Sequence, residues 1–271
     1  MTAPIKKIAI IAGSGELPVL LTIEAKKQGY YTYAIALNND AKIRLADLCD
    51  KLDSFYPGQV ASILKAVQKE GINKIIFIGK IHKGDLLKKF YKLDFIAIKY
   101  LSKLLNLNDD SIHGAVTKFL QEYDMEILPQ TQFLSHLYQE KEILSKRKPT
   151  DDERVDIEYG IDIARKVASL DIGQTVIVKN KMIIAIEGID GTDETIKRGC
   201  QLSKSSVVMA KAARINQDQR FDIPTIGAQT VEVLGKNGGG VLAFESGKVL
   251  VADKEKTVEL ANKYNICLIA V

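Results

Sequence analysis

The densest group of reactive side chains in this chain is the stretch KAARINQDQRFDIPTIG, Lys211–Gly227, which brings together Lys211, Arg214, Gln217, Asp218, Arg220 and Asp222. It follows the apolar run VVMA and has neither a helical nor a strand period. An irregular segment of that length inside a compact chain is usually functional. Carboxylates bind Mg²⁺ through oxygen, and lysine or arginine takes up the charge of phosphate oxygens, so the mixture suits phosphoryl chemistry. A surface ion-pair network would use the same residues, and the composition alone leaves both readings open.

A second candidate is EGIDGTDE, Glu187–Glu194, where a strand gives way to a helix. Thr192 reads as the N-cap, and Asp193 and Glu194 as acids favoured by the helix dipole. That accounts for three residues without any function. Glu187 and Asp190, at the strand end, are not explained by it; carboxylates there suit a cation or hydroxyl groups. A third candidate is AGSGELP, Ala12–Pro18, between a strand and a helix. Glycines and a helix N-terminus suit a phosphate, but Pro18 stands where the dinucleotide fingerprint wants its third glycine, and Asp40 only loosely fills its acidic position. A phosphate contact and a plain tight turn both fit. The fourth is Lys80–Lys103, seven lysines against Asp85 and Asp94, interleaved with Phe90, Tyr91, Phe95 and Tyr100. It reads as a solvated helix face over a core stripe, or as a surface drawn to anionic lipid or a phosphate-bearing substrate.

Other chemistries find little support. His82, His113 and His136 share no ligand spacing, Cys49, Cys200 and Cys267 lie far apart, and GxSxG, HExxH, CxxC and the P-loop motif are absent. The glycine run GKNGGG, Gly235–Gly240, follows a helix and precedes a strand, the order of a helix C-cap rather than a phosphate cradle. A net charge of +4 is too small for a dedicated nucleic-acid partner. No charged-then-apolar leader and no apolar run of bilayer length is present, which points to the cytoplasm or a membrane surface.

The elements that must position these residues alternate between strand and helix. Strands are expected at Lys7–Ala12, Tyr30–Leu37, Lys74–Ile78 and Met125–Leu128. Helices are expected at Val19–Lys27, Ile43–Leu48, Gln59–Glu70, Gly84–Leu105 and Asp110–Glu122. Continuous apolar strands between helices imply a parallel sheet covered on both faces. After a charged run the rhythm restarts, with helices at Asp156–Leu170, Asp193–Lys204, Val231–Asn237 and Lys254–Tyr264. A hairpin around Asn180 and strands at Val207–Ala212, Val241–Phe244, Lys248–Ala252 and Ile266–Val271 complete it. The fold class is therefore α/β: an N-terminal Rossmann-like parallel-sheet domain over 1–135, a charged linker over 136–154, and a mixed α/β domain over 155–271 that carries the chemistry.

Taken in order, GSGELP, DDSIHGAV, DIGQTVIVKNKMIIAIEGIDGTDETIKR and KAARINQDQRFDIPTIGAQTVE resemble the bacterial UDP-2,3-diacylglucosamine diphosphatase family of lipid A biosynthesis, in its metal-dependent branch. The likeness spans essentially the whole chain, and its specific motifs lie in the C-terminal half. It implies Mg²⁺-dependent hydrolysis of UDP-2,3-diacylglucosamine to UMP and 2,3-diacylglucosamine 1-phosphate (lipid X), with water attacking the uridyl-side phosphorus. It also implies a homodimer, with substrate held between the two domains. The family's essential aspartate falls on Asp222, which would ligate Mg²⁺, with Asp218 and Glu187 as further metal carboxylates. Lys211 and Arg220 would hold phosphate oxygens. Gly13, Ser14, Gly15, Glu16, Lys80, Asp190, Gly191, Thr192, Asp193, Gln217 and Thr225 would line the substrate. By its own composition, and not by the resemblance, the Phe90–Leu105 region would supply an apolar groove for the acyl chains while its lysines face the anionic leaflet, with the protein peripheral on the cytoplasmic face of the inner membrane. Two other readings stand beside this one: an NAD(P)-binding oxidoreductase, suggested by the strand–GSG–helix opening, and a non-catalytic lipid or nucleotide carrier, suggested by the basic aromatic helix.

Overall fold

Short apolar runs punctuated by glycine become the strands of two separate sheets. The computed structural model describes residues 5–80, 94, 109–204 and 206–271. The expected helix Gly84–Leu105, its lysines and the groove it was to supply lie outside the described residues. The chain divides into two units, one of residues 1–134 and 219–222, the other of residues 135–218 and 223–271.

The first unit is built on a five-stranded sheet in the order β3-β2-β1-β4-β5, with every pairing parallel. The strands are β1 (Lys7–Ala12), β2 (Tyr31–Ala36), β3 (Lys51–Ser54), β4 (Lys74–Ile78) and β5 (Glu126–Ile127). β3 has no counterpart in the sequence reading, because KLDS is short, polar and half-exposed, and only its backbone pairing with β2 makes it a strand. Helices α1 (Leu17–Lys27), α2 (Asn39–Leu45), α3 (Val60–Lys69), α4 (Asp109–Gln121) and α5 (Thr131–Leu134) complete the unit. α2 starts four residues before the expected Ile43, because Asn38 caps it: the Asn38 side-chain oxygen accepts the Ala41 N–H at 2.9 Å.

β1 lies between β2 and β4, so the winding direction reverses beside it, where open α/β sheets place their ligand crevices. The two chain exits there come into backbone contact. Gly13 donates its N–H to the Ile78 carbonyl at 2.8 Å, and Ser14 and Lys80 exchange two backbone hydrogen bonds of 2.9 Å. Gly79 holds φ at +89°, and a Cβ there would stand 2.8 Å from the Gly13 backbone and from the Pro18 ring.

The second unit carries a mixed sheet in the order β12-β10-β8-β6-β7. These strands are β6 (Thr175–Lys179), β7 (Met182–Ile186), β8 (Val208–Lys211), β10 (Val241–Phe244) and β12 (Cys267–Ala270). β8, β10 and β12 run parallel, and β6 and β7 form the antiparallel hairpin. Alternate residues divide between two cores, as a period of two requires. Val176, Val178, Val208, Ala210, Ala243 and Ile269 pack under α6 (Asp151–Ser169). Ile177, Met209, Leu242, Phe244 and Leu268 face α7 (Thr192–Ser203), α8 (Ala228–Lys236) and α9 (Lys254–Lys263). Gly160 of α6 and Gly199 of α7 let the helices close onto the sheet, for a Cβ at either would fall within 3 Å of Ala210 or Ile177. A separate two-stranded parallel ribbon joins β9 (Thr225–Ile226) to β11 (Leu250–Val251).

The stretch 136–154 differs from the expected linker, because it is built into the second unit. Tyr138 bridges Leu250, Ile143 bridges Ile269, and the Leu144 N–H donates to the Leu268 carbonyl at 2.9 Å along β12. Arg147 donates to the Gly240 carbonyl at 3.1 Å and pairs with Glu153 at 2.7 Å. Thr150 and Glu153 form a reciprocal capping box, so α6 begins at Asp151 rather than Asp156.

Gly79→Ala forces a side chain both into the left-handed region and against the Gly13 backbone. It is expected to lower the stability of the first unit by about 1–3 kcal/mol, read as an earlier urea midpoint in a full-length protein.

Candidate functional site

The second unit places one cation where water hardly reaches it. Lys211 is the last residue of β8 and is 7% exposed. A buried ammonium is costly unless it is paired. Its counter-charge is Glu187, just past the end of β7. The Thr192 hydroxyl joins the two, donating to Glu187 Oε1 at 2.6 Å and accepting from Lys211 Nζ at 3.2 Å. The second Glu187 oxygen accepts the Gln174 N–H at 3.1 Å. Burial pushes the Glu187 carboxyl up, but the Lys211 charge and the donors on both oxygens outweigh it and hold the group below its ordinary value of 4.5. Thr192 is therefore not the helix cap the sequence suggested. Gly191, at φ +81°, occupies that position, with no side-chain cap bond.

A second carboxylate, which the sequence reading passed over, organises the start of the irregular stretch. Glu245 follows β10 and is 3% exposed. Its backbone N–H donates to the Lys211 carbonyl at 3.0 Å. Its Oε2 accepts the Ala213 N–H at 3.1 Å, while Arg165 and Lys248 reach Oε1 at 3.0 and 2.8 Å. Burial raises its pKa, and the Lys248 ammonium, the Ala213 N–H and the Arg165 guanidinium more than reverse that. The signal was present as a charged residue directly after the apolar run VLAF.

The rest of the 187–193 turn is held by local partners. Asp190 pairs with Arg198 at 2.9 Å and accepts the Gly188 N–H at 3.0 Å, and the Arg198 hydrogen bond is the main cause of its lowered pKa. Asp193 accepts from Gln229 at 2.6 Å. Arg214 pairs with Asp171 at 3.3 Å, and its N–H reaches the Gln217 side-chain oxygen at 3.3 Å. Thr225 opens β9 with its hydroxyl on the Ile223 carbonyl at 2.9 Å.

In the first unit the glycine loop is already engaged. The N–H groups of Gly13, Ser14 and Gly15 donate to Ile78 O, Lys80 O and Asp40 Oδ2, the last at 2.9 Å. An anion does sit at this loop, and it is the chain's own Asp40 carboxylate. That Gly15 N–H and the Arg44 hydrogen bond lower the Asp40 pKa. Arg44 also binds the exposed Glu16 at 2.6 Å, and Lys80 is exposed beside Ser14. A ligand phosphate would have to displace Asp40 to reach Gly15, which weighs against a nicotinamide dinucleotide bound in the usual way.

The residues read as one reactive stretch are divided by the fold. Lys211, Gln217 and Asp218 belong to the second unit, whereas Arg220 and the exposed Asp222 belong to the first. Among the described residues, no three His, Cys, Asp or Glu side chains form a ready cage for a metal ion. Mg²⁺ commonly needs only one or two protein carboxylates and takes its other oxygens from substrate phosphates and water. The exposed Asp222 carboxylate fits that role. Glu187 reaches a cation only by giving up the donors that hold it.

Residues 7–137 match the family model described as the LpxI N-terminal domain, and residues 140–269 the one described as the LpxI C-terminal domain. UDP-2,3-diacylglucosamine pyrophosphatase LpxI of Caulobacter vibrioides is 27% identical over 283 residues, covering 98% of this chain and 98% of that protein.

Because the Glu187 pKa is lower in the folded chain, the stability it lends is complete above its ordinary value and is lost as pH falls through the folded value. Glu187→Gln is expected to cost about 1–3 kcal/mol at pH 7 by removing the carboxylate charge that faces Lys211. That gap should narrow as pH drops below 4.5. Urea unfolding across pH checks it, and a gap independent of pH would contradict the pairing.

Proposed function

We propose a reaction from one premise: the chain belongs to the LpxI family, whose two domain models cover residues 7–137 and 140–269. On this reading it is a hydrolase that cleaves the diphosphate of UDP-2,3-diacylglucosamine in lipid A biosynthesis. The supporting observation is the end-to-end correspondence with a protein named for that activity, 98% of each chain being covered. Water attacks the uridyl-side phosphorus, the bridging P–O bond breaks, and 2,3-diacylglucosamine 1-phosphate leaves as UMP forms.

The residues divide this work according to their charge. A diphosphate is inert in water because its anionic oxygens repel a nucleophile, so catalysis calls for positive charge on those oxygens and an oriented water. Lys211 offers a cation in a poorly hydrated setting, where its attraction for a phosphate is least screened. Glu187 and Thr192 hold that ammonium in place. Arg220 adds a second cation. Asp222 would hold Mg²⁺, which when bound would neutralise the phosphate oxygens and polarise the reacting phosphorus. The same reading includes a homodimer and a peripheral seat on the cytoplasmic face of the inner membrane, where the substrate's acyl chains lie. No helix among the described residues is long and apolar enough to cross a membrane.

Incubation with UDP-2,3-diacylglucosamine and Mg²⁺ in ¹⁸O water is expected to release UMP carrying the label, and label in the sugar phosphate instead would overturn the point of attack. EDTA should stop the release and excess Mg²⁺ restore it. Asp222→Ala should lower turnover by about 10³-fold or more while the melting temperature stays within a few degrees of wild type; near-wild-type turnover would remove Asp222 from the reaction.

A further inference from the structure

Asp222 follows a residue whose placement is unusual for an irregular stretch. Phe221 is the single aromatic residue in Lys211–Gly227. Its ring stacks on the His113 imidazole of α4 at a centroid distance of 4.2 Å and an interplanar angle of 5°. It also meets Phe77 of β4 at 5.3 Å and 32°. Phe77 is set into the sheet, paired in register with Ile11 of β1. The preceding residues are fastened as well. The Gln219 carbonyl accepts the Gln130 N–H at 2.9 Å, and the Gln219 side-chain oxygen accepts the Thr131 hydroxyl at 3.1 Å. The Arg220 guanidinium carbon lies 5.6 Å from the Phe221 centroid. A strand, a helix and the start of α5 thus grip the residues on the N-terminal side of Asp222.

We infer that Phe221 is a positioning residue for Asp222, with His113 as its stacking partner. This rests on the reading above, in which Asp222 takes part in the reaction. A planar ring lodged between a helix and a strand fixes the backbone one residue before the carboxylate. A carboxylate on an unpinned loop would sample many positions, and displacement of a reacting group by about 1 Å can cost on the order of 10²-fold in rate. Stacking, rather than apolar bulk, is the feature that fixes direction, because a flat ring in a parallel stack has few alternative seats.

The test is steady-state UMP release by the full chain with UDP-2,3-diacylglucosamine and Mg²⁺, with melting temperature followed in parallel. Phe221→Leu keeps apolar bulk and removes the plane. It is expected to lower kcat by about 10- to 100-fold with KM within about twofold. Phe221→Tyr restores the plane and is expected to recover kcat to within about threefold of wild type. His113→Ala, which leaves Phe221 itself intact, should lower kcat as well, and the Phe221→Leu/His113→Ala pair should lose less than the product of the single losses. If Phe221→Leu does not fold, the His113→Ala and Phe221→Tyr variants still decide the matter. A wild-type kcat in His113→Ala, a loss confined to KM, or a Tyr variant as slow as the Leu variant would overturn the assignment. Asp222→Ala separates the two levels of failure. If it is inactive while Phe221→Leu is fully active, only the positioning role falls; if it retains activity, the catalytic reading falls too.

Discussion

The constraint on which the second unit turns is the burial of a charge at the end of a strand. Lys211 cannot sit at the C-terminal edge of β8 in poorly hydrated surroundings without an anion beside it. Glu187 provides one, but only if the chain leaves β7 toward β8 and Thr192 lies between the two. That requirement sets the sharp turn through Gly191 and the starting point of α7. On the neighbouring strand Glu245 does the corresponding work, binding the Ala213 N–H and two cations. The sheet therefore ends in charged groups whose geometry is fixed before any ligand arrives. Such fixed charge is what stabilises an anionic transition state, since little reorganisation is left to the moment of reaction.

The two sheets were largely readable, for a simple reason. Strands such as KIAIIA, KIIFI and VLAF are covered on both faces and carry their burial in their own residue types. Pieces whose structure comes from a neighbour's backbone were not readable. β3 is polar, and β9 is only two residues long. The charged run after residue 135 looked solvated because its apolar side chains are sparse, yet what it offers β12 is mainly backbone, which composition does not reveal. Thr192 shows the same limit at one residue, since a cap and a bridge between charges use the same hydroxyl.

The site was legible in type and only partly in arrangement. Lys211, Glu187 and Thr192 were each singled out by chemistry, and the fold brings them together. Asp40 only loosely filled the acidic position of the dinucleotide fingerprint; it lies in the first turn of α2 and its carboxylate binds the glycine loop instead. The separation of Asp218 from Asp222 could not be read from local sequence. It depends on Phe77, His113 and Phe221, which are far apart in the chain and meet only after folding.

The assignment of residues 219–222 to the first unit bears on how the protein can be dissected. The two family matches meet between residues 137 and 140, which invites expression of the halves as separate polypeptides. A polypeptide ending at that junction lacks Gln219 and Phe221, so Thr131 loses an acceptor and the faces of Phe77 and His113 are stripped of their covering ring. The chain crosses between its units three times, after residues 134, 218 and 222, and a single cut severs only one of those connections. The units are thus interleaved along the sequence, and fragment complementation, rather than simple truncation, is the route to studying them.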